Sequence, residues 1–215
     1  MAVNLDLRVA QLLCSRVCHD LVGPSGAINA GLELMMEQSG QLDGPDGPLS
    51  LVERSAQMMG HRLAFYRVAF GSGGGGGPRP LAEAAKLSRD FLSDSTVSLE
   101  WQQIEEQALA EGGSKLLLNM VLLGHECLPR GGRLSVSFAG LDEGIGAAMV
   151  AEGPGARLKD DVRAALDPEA PADHLTARNA HAHYAQKLAE SLGGLIEVAD
   201  GAGDEVQLAV LLPFA

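Results

Sequence analysis

Hydrophobic positions near the N-terminus recur at helical spacing. With successive residues ~100° apart, Val9, Ala10, Leu13, Cys14, Val17 and Leu21 fall within an arc of roughly 140°. Asn4 is suited to cap a helix running from about Leu5 to Glu37. A turn-rich stretch, SGQLDGPDGP at 39–48, follows, and Pro48 suits the first position of a second helix reaching about Phe70. In that helix Val52, Ala56, Met59, Leu63, Tyr66 and Phe70 form a heptad-like seam. Such a hairpin cannot bury both faces alone. Pairing two copies into a four-helix bundle is the economical solution, and packing against its own C-terminal half is the alternative.

GSGGGGGPRP at 71–80 has flexible-linker composition and marks a domain boundary, giving units at 1–70 and 81–215. The second unit alternates helical and strand patterns. LAEAAKLSRDFLSD reads as a helix, TVSLEW as a half-buried strand, and SKLLLNMVLLGHECL as an apolar helix ended by Pro129 and Gly131. RLSVSFAG and GAAMVAEG read as strands, HLTARNAHAHYAQKLAESLGG as a helix, and LIEVAD and VQLAVLLPF as a final strand pair. The predicted class is α+β: a helical hairpin followed by helices layered on a mixed or antiparallel sheet.

Composition narrows the functional classes. The chain has 215 residues, 46% of them hydrophobic, enough for a packed core. No apolar run reaches the ~20 residues of a bilayer span, and MAVNLDLRVAQLL lacks the basic start of a secretory signal. Three cysteines cannot all pair, so reduced thiols and a cytoplasmic location are expected. A net charge of −12 argues against nucleic acid as partner. The charge is uneven: residues 1–70 hold 5 basic and 7 acidic side chains, residues 71–215 hold 11 and 21. The near-neutral hairpin is therefore better suited to meeting an acidic protein.

The candidate chemistry lies in SRVCHDLVGPSGAINAGLELM, residues 15–35. His19 falls about 150° from the centre of the apolar arc, on the outer face of its helix. Histidine is largely neutral near pH 7, and a neutral imidazole nitrogen can attack phosphorus and hold it as a phosphoramidate. Asp20 is placed to accept a hydrogen bond from the ring and favour the attacking tautomer. Pro24 has no N–H, so the Asp20 carbonyl loses its intrahelical partner and the helix is expected to open there, with Gly23 easing the bend and keeping bulk away. Arg16, Gly23 and Pro24 flank the histidine and are expected to touch the partner.

HDLVGPSGAINAGLEL resembles the H-box of histidine kinases, and CHDLVGPSGAINAGLELM more closely resembles the ChpT-like histidine phosphotransferases. The resemblance runs through hairpin, linker and C-terminal half. It implies a C-terminal α/β sandwich like the histidine kinase ATPase (Bergerat/GHKL) fold. It also implies that His19 accepts a phosphoryl group from one receiver-domain aspartate and passes it to another. The partners it implies are the receiver of a CckA-like hybrid kinase and CtrA-like or CpdR-like regulators, with magnesium supplied by the receiver and no cofactor bound by this chain.

The kinase boxes are incomplete. In KLLLNMVLLGHECLPRGGRLSVSF, Asn119 matches the first asparagine of the N-box, while the second falls on Leu123. In VAEGPGARL the glycines of the G1 box are Gly153 and Gly155, but its aspartate falls on Ala151. No glycine lies between Gly155 and Gly193, so a glycine-rich phosphate cradle is missing. Leucine offers a hard cation no oxygen, and alanine offers adenine no acceptor. A scaffold that has lost ATP is expected. The alternatives are an ATP-dependent histidine kinase core and a non-catalytic adaptor that binds receivers. Three other features get ordinary expectations: Cys14 and Cys18 as buried thiols, His181 and His183 as exposed, and Arg54, Arg62 and Arg67 as solvated charges.

Overall fold

The structure is a computed structural model that describes residues 6–37, 47–71, 79–103, 108–109 and 111–214. The Asn4 cap, most of the 39–48 turn and the glycine run of the 71–80 linker lie outside the described residues. Helix α1 spans Leu7–Glu37 and helix α2 spans Pro48–Ala69. Pro48 opens α2 as expected, where a missing N–H costs nothing. The two run antiparallel, since Gly31 meets Val52 near the turn while Asp20 meets Tyr66 farther along. A Cβ on Gly31 would lie 2.6 Å from Val52 Cγ2 and 3.1 Å from the Pro48 carbonyl oxygen, so glycine is needed for the helices to approach this closely.

The expected opening at Pro24 does not divide α1, which continues as one 31-residue helix with Pro24 buried. The second helix supplies the repair. The Asp20 carbonyl that proline leaves without its N–H accepts a hydrogen bond from Arg62 Nη1. Arg62 is therefore engaged rather than simply solvated.

The C-terminal unit comprises β1 (Arg79–Pro80), α3 (Leu81–Leu92), β2 (Val97–Trp101), β3 (Ala108–Leu109), α4 (Gly113–Glu126), β4 (Gly132–Leu141) and β5 (Gly144–Glu152). It continues with α5 (Asp160–Ala165), a 3-10 turn at Ala172–His174, α6 (Ala180–Ser191), β6 (Glu197–Asp200) and β7 (Glu205–Pro213). The main sheet has the order β2-β4-β5-β7-β6, with β2 parallel to β4 and the other pairs antiparallel. The mixed α+β class thus holds. β1 and β3 pair separately, and α5 and the 3-10 turn fill a stretch with no helical periodicity to announce them.

Alternation along the strands makes one buried face: Leu134, Val136 and Phe138 on β4, Ile145, Ala147 and Met149 on β5, Val206, Leu208 and Val210 on β7. Helix α4 lies on that face with α3 and α6 beside it. Nearly every α4 residue is buried, and Gly124 sits where a Cβ would come 2.6 Å from Leu134 Cδ1.

The hairpin packs on this layer, α2 against α3 and α4, α1 against α6. Val9, Leu13, Phe65, Tyr66, Val68 and Ala69 join the C-terminal core. Asn119, fully buried, donates from Nδ2 to the carbonyls of Ala69 and Lys115, both at 2.9 Å, tying the end of α2 to α4. Wedged between hairpin and sheet layer, α6 buries both its faces. His181 and His183, expected at the surface, are therefore buried. Cys14 and Cys18 correct in the other direction: both are exposed, on an outer stripe of α1 that also carries Leu7, Val22, Leu32 and Met36. Cys127 is buried.

Candidate functional site

The ring of His19 stands free, its side chain 89% exposed, at the mouth of a cleft between α1 and the C-terminal unit. Its Nδ1 lies 3.3 Å from Asp20 Oδ1. Asp20 is the anchored member of this pair. Its Oδ2 accepts a 2.6 Å hydrogen bond from the Tyr66 hydroxyl, its backbone carbonyl accepts from Arg62, and Arg16 Nε lies 3.8 Å from Oδ2. Burial, and after it the bond to Asp20, holds the Tyr66 phenol far above its ordinary pKa, so it remains a neutral donor. A carboxylate can only accept, so a hydrogen bond in this pair is donated by Nδ1–H, and Nε2 is the nitrogen not turned to Asp20.

Arg16 behaves differently from the expectation. Its guanidinium turns inward to its own C-terminal unit: Nη1 donates to the Arg178 carbonyl at 3.0 Å and meets His181 Nδ1 at 2.9 Å, and Nη2 binds Glu126 Oε1. The guanidinium has no lone pair, so His181 Nδ1 accepts, and the protonated Nε2 lies 3.3 Å from Glu126 Oε2 without hydrogen-bond geometry. Burial, then the Arg16 charge, pushes the His181 pKa well down and keeps the ring neutral. Burial likewise raises Glu126, opposed by Arg16. His125, beside them, is lowered by burial and by the nearby Arg62 and Arg16 charges.

These groups line a cleft of about 950 Å³ beside His19, between α1 and the C-terminal unit. Ser15, Arg16, His19 and Asp20 form one wall, His125, Glu126, Leu128 and Pro129 another, and Lys159, Asp161 and Arg178 the far rim. A second concavity, about 820 Å³, lies on the other face of the sheet, floored by Ala139, Gly146, Ala148 and Leu211 and remote from His19. Of the expected site residues, the structure brings His19 and Asp20 together. Gly23 is exposed with open space around its Cα, while Pro24 is buried.

The positions matching the kinase boxes are committed to packing. Leu123 is fully buried, Ala151 is 1% exposed, and the Asn119 amide is used on α2. Gly153 is required by close approach to the turn before β4, since a Cβ there would meet the Gly131 carbonyl oxygen at 2.5 Å. Tyr66, Arg62, Glu126 and His181 were not singled out as site residues from sequence. A signal for the first two existed: antiparallel helices ending at Glu37 and starting at Pro48 set Asp20 level with residues 62–66 of α2.

Comparison with known proteins adds to this picture. Residues 81–204 match the model of the histidine phosphotransferase C-terminal domain. The protein phosphotransferase ChpT of Brucella abortus (strain 2308) is 32% identical over 201 residues, 93% of this chain and 94% of that protein. A bacterial phosphotransferase solved at 1.7 Å superposes with a TM-score of 0.81 at 30% identity, over 96% of this chain and 98% of that one. An exposed histidine with an anchored carboxylate, on a hairpin docked to a helix-and-sheet unit, thus occurs in a chain that matches phosphotransferases along nearly its whole length. The chain belongs to the ChpT-like histidine phosphotransferases.

Proposed function

We propose that this phosphotransferase shuttles a phosphoryl group between receiver-domain aspartates through a phosphohistidine on His19, without using ATP. The observation that carries the reading is the His19 ring, exposed, with Nδ1 turned to Asp20 Oδ1 at 3.3 Å and Nε2 free to meet a docked partner. In the first step the Nε2 lone pair attacks the phosphorus of an aspartyl phosphate in line. The P–O bond to the aspartate breaks and its electrons leave with the carboxylate. Nδ1 keeps its proton, shared with Asp20, whose charge offsets the positive charge the ring acquires. In the second step another receiver's carboxylate attacks phosphorus, the N–P bond breaks, and the neutral ring returns. Phosphoryl transfer depends chiefly on positioning and charge stabilisation, and its divalent cation is assigned to the receiver.

Lys159 and Arg178 on the cleft rim favour an anionic partner there. Gly23, bare and exposed on the turn after His19, is assigned to the partner contact, whereas Pro24 acts through the carbonyl it frees and Arg16 through its own chain. The exposed apolar stripe of α1, with Leu49 and Leu63 of α2, is proposed to pair with a second hairpin as a four-helix bundle. A one-chain mass by light scattering would contradict that pairing. A CckA-like donor and CtrA-like or CpdR-like acceptors are the proposed partners, and the cytoplasm the proposed location. Among the described residues no helix is long and apolar enough to cross a membrane.

The test mixes a purified phosphorylated receiver with wild-type protein and with His19→Ala. Label moving to the wild type and not to the variant is expected. Equal behaviour of the two leaves only the adaptor reading, and self-labelling from ATP without a partner establishes the kinase reading.

A further inference from the structure

Asp20 would be free to rotate on an exposed helix face, and a rotating carboxylate cannot hold one tautomer of its neighbour. Two side chains one turn apart on α2 prevent this. Arg62 binds the Asp20 backbone carbonyl and Tyr66 binds its Oδ2. Pro24 brings no N–H to that carbonyl, and Arg62 donates to it in its place. Proline thus converts a helix defect into an attachment point for the second helix.

The Tyr66 hydroxyl is itself held by its ring. The ring stacks on Phe70 at 5.5 Å and 19°, and meets Phe65 and Phe91 edge-on at 5.8 Å and 5.9 Å. A phenol is also suited to the task because it brings no charge. A second cation bound to Oδ2 would neutralise the carboxylate that must offset the imidazolium, whereas a neutral donor orients it and leaves its charge in place.

Resting on the phosphohistidine reading, we propose that Tyr66 is a positioning residue for phosphotransfer. Its hydroxyl locks Asp20 so that Oδ1 holds the Nδ1–H of His19 and Nε2 alone is presented to phosphorus. Arg62 supports the lock through the backbone.

The test is Tyr66→Phe, which keeps the aromatic cluster and removes only the donor. Phosphoramidate serves as a receiver-independent donor, its P–N bond breaking as ammonia leaves, with His19→Gln reporting labelling at other histidines. The wild type is expected to show His19 as the Nδ1–H tautomer by ¹⁵N NMR and phosphorus on Nε2 by ³¹P NMR. In Tyr66→Phe the tautomers should mix, phosphorus should appear on both nitrogens, and labelling should slow by about tenfold, with an unchanged melting curve. An unchanged tautomer ratio and an unchanged phosphorylated nitrogen overturn the inference. An unlabelled wild type overturns the phosphohistidine reading instead, and the tautomer ratio still decides the role of Tyr66.

Discussion

Among the described residues, two histidine–carboxylate pairs have the same separation and opposite surroundings. His19 Nδ1 lies 3.3 Å from Asp20, and His181 Nε2 lies 3.3 Å from Glu126. The first ring is 89% exposed and the second fully buried. Arg16 stands between them, binding the inner pair directly and lying 3.8 Å from the outer carboxylate. The rings turn opposite nitrogens to their carboxylates. Asp20 Oδ1 stands beside Nδ1 of His19 and leaves Nε2 open, while Arg16 donates to Nδ1 of His181, whose Nε2 lies 3.3 Å from Glu126 without a hydrogen bond. A histidine beside a carboxylate thus keeps one nitrogen bare for the proposed transfer at His19, and at His181 joins α6 to α1 through Nδ1.

Removing Arg16 should give the largest stability change that separates the pairs. Arg16→Met leaves the partly buried Glu126 and the buried His181 without their donor, which costs about 3 kcal/mol, or on the order of 10 °C in Tm. Adding Glu126→Gln should recover part of that loss, because the stranded charge goes with it. Thermal melts read both. If Arg16 instead contacts the partner, as its position in the sequence suggests, Arg16→Met will lower transfer and leave the melt unchanged.

The inner pair should also make stability depend on pH. His181 is held neutral well below its ordinary pKa when folded, while in the unfolded chain it takes a proton near pH 6.5. The unfolded state then binds more protons, so stability falls as pH drops below about 6.5, by up to about 1.4 kcal/mol per pH unit for each such ring. His125 and His183 shift in the same direction and steepen the fall. Glu126 opposes it, since its raised pKa lets the folded state keep a proton that the unfolded chain has released. Urea melts at pH 7.5 and 5.5 should show a shallower loss in His181→Gln than in the wild type. Equal losses would mean that His181 takes no part.

The contrast between the pairs also marks what was legible in the sequence. His19 could be placed because exposure on a helix follows from its own neighbours: the apolar arc of α1 is local, and the ring lies opposite it. His181 could not, because what buries it is α1, more than 160 residues away in the chain. The strand alternation and the apolar α4 were equally local and came out nearly as read. Pro24 shows the limit within one helix. Its lost hydrogen bond was predictable, but the arginine that replaces it comes from α2 and keeps α1 continuous. Tyr66 was read as part of an apolar seam, which it is by its ring, while its hydroxyl serves Asp20. Cys14 lies at the edge of the apolar arc and Cys18 outside it, and both are exposed, since α2 and α6 cover a narrower face than buried thiols there would need.

The smallest expected effect sharpens the comparison from the side of access. Gly23 lies inside α1 with ordinary helical φ, and a Cβ there would meet nothing within 4 Å. Gly23→Ala should therefore raise stability by about 0.5–1 kcal/mol, since alanine has less freedom to lose on entering a helix. Nothing in the folded chain rewards the glycine, so a reason to keep it must come from outside the chain. If a receiver rests on the turn after His19, the added methyl should slow transfer a few-fold while the melt rises, and Gly23→Gln should slow it further. Such opposed changes arise only where the bare surface is used by another molecule. A variant that is more stable and transfers at the wild-type rate would place the docking surface elsewhere around His19 and remove Gly23 from it.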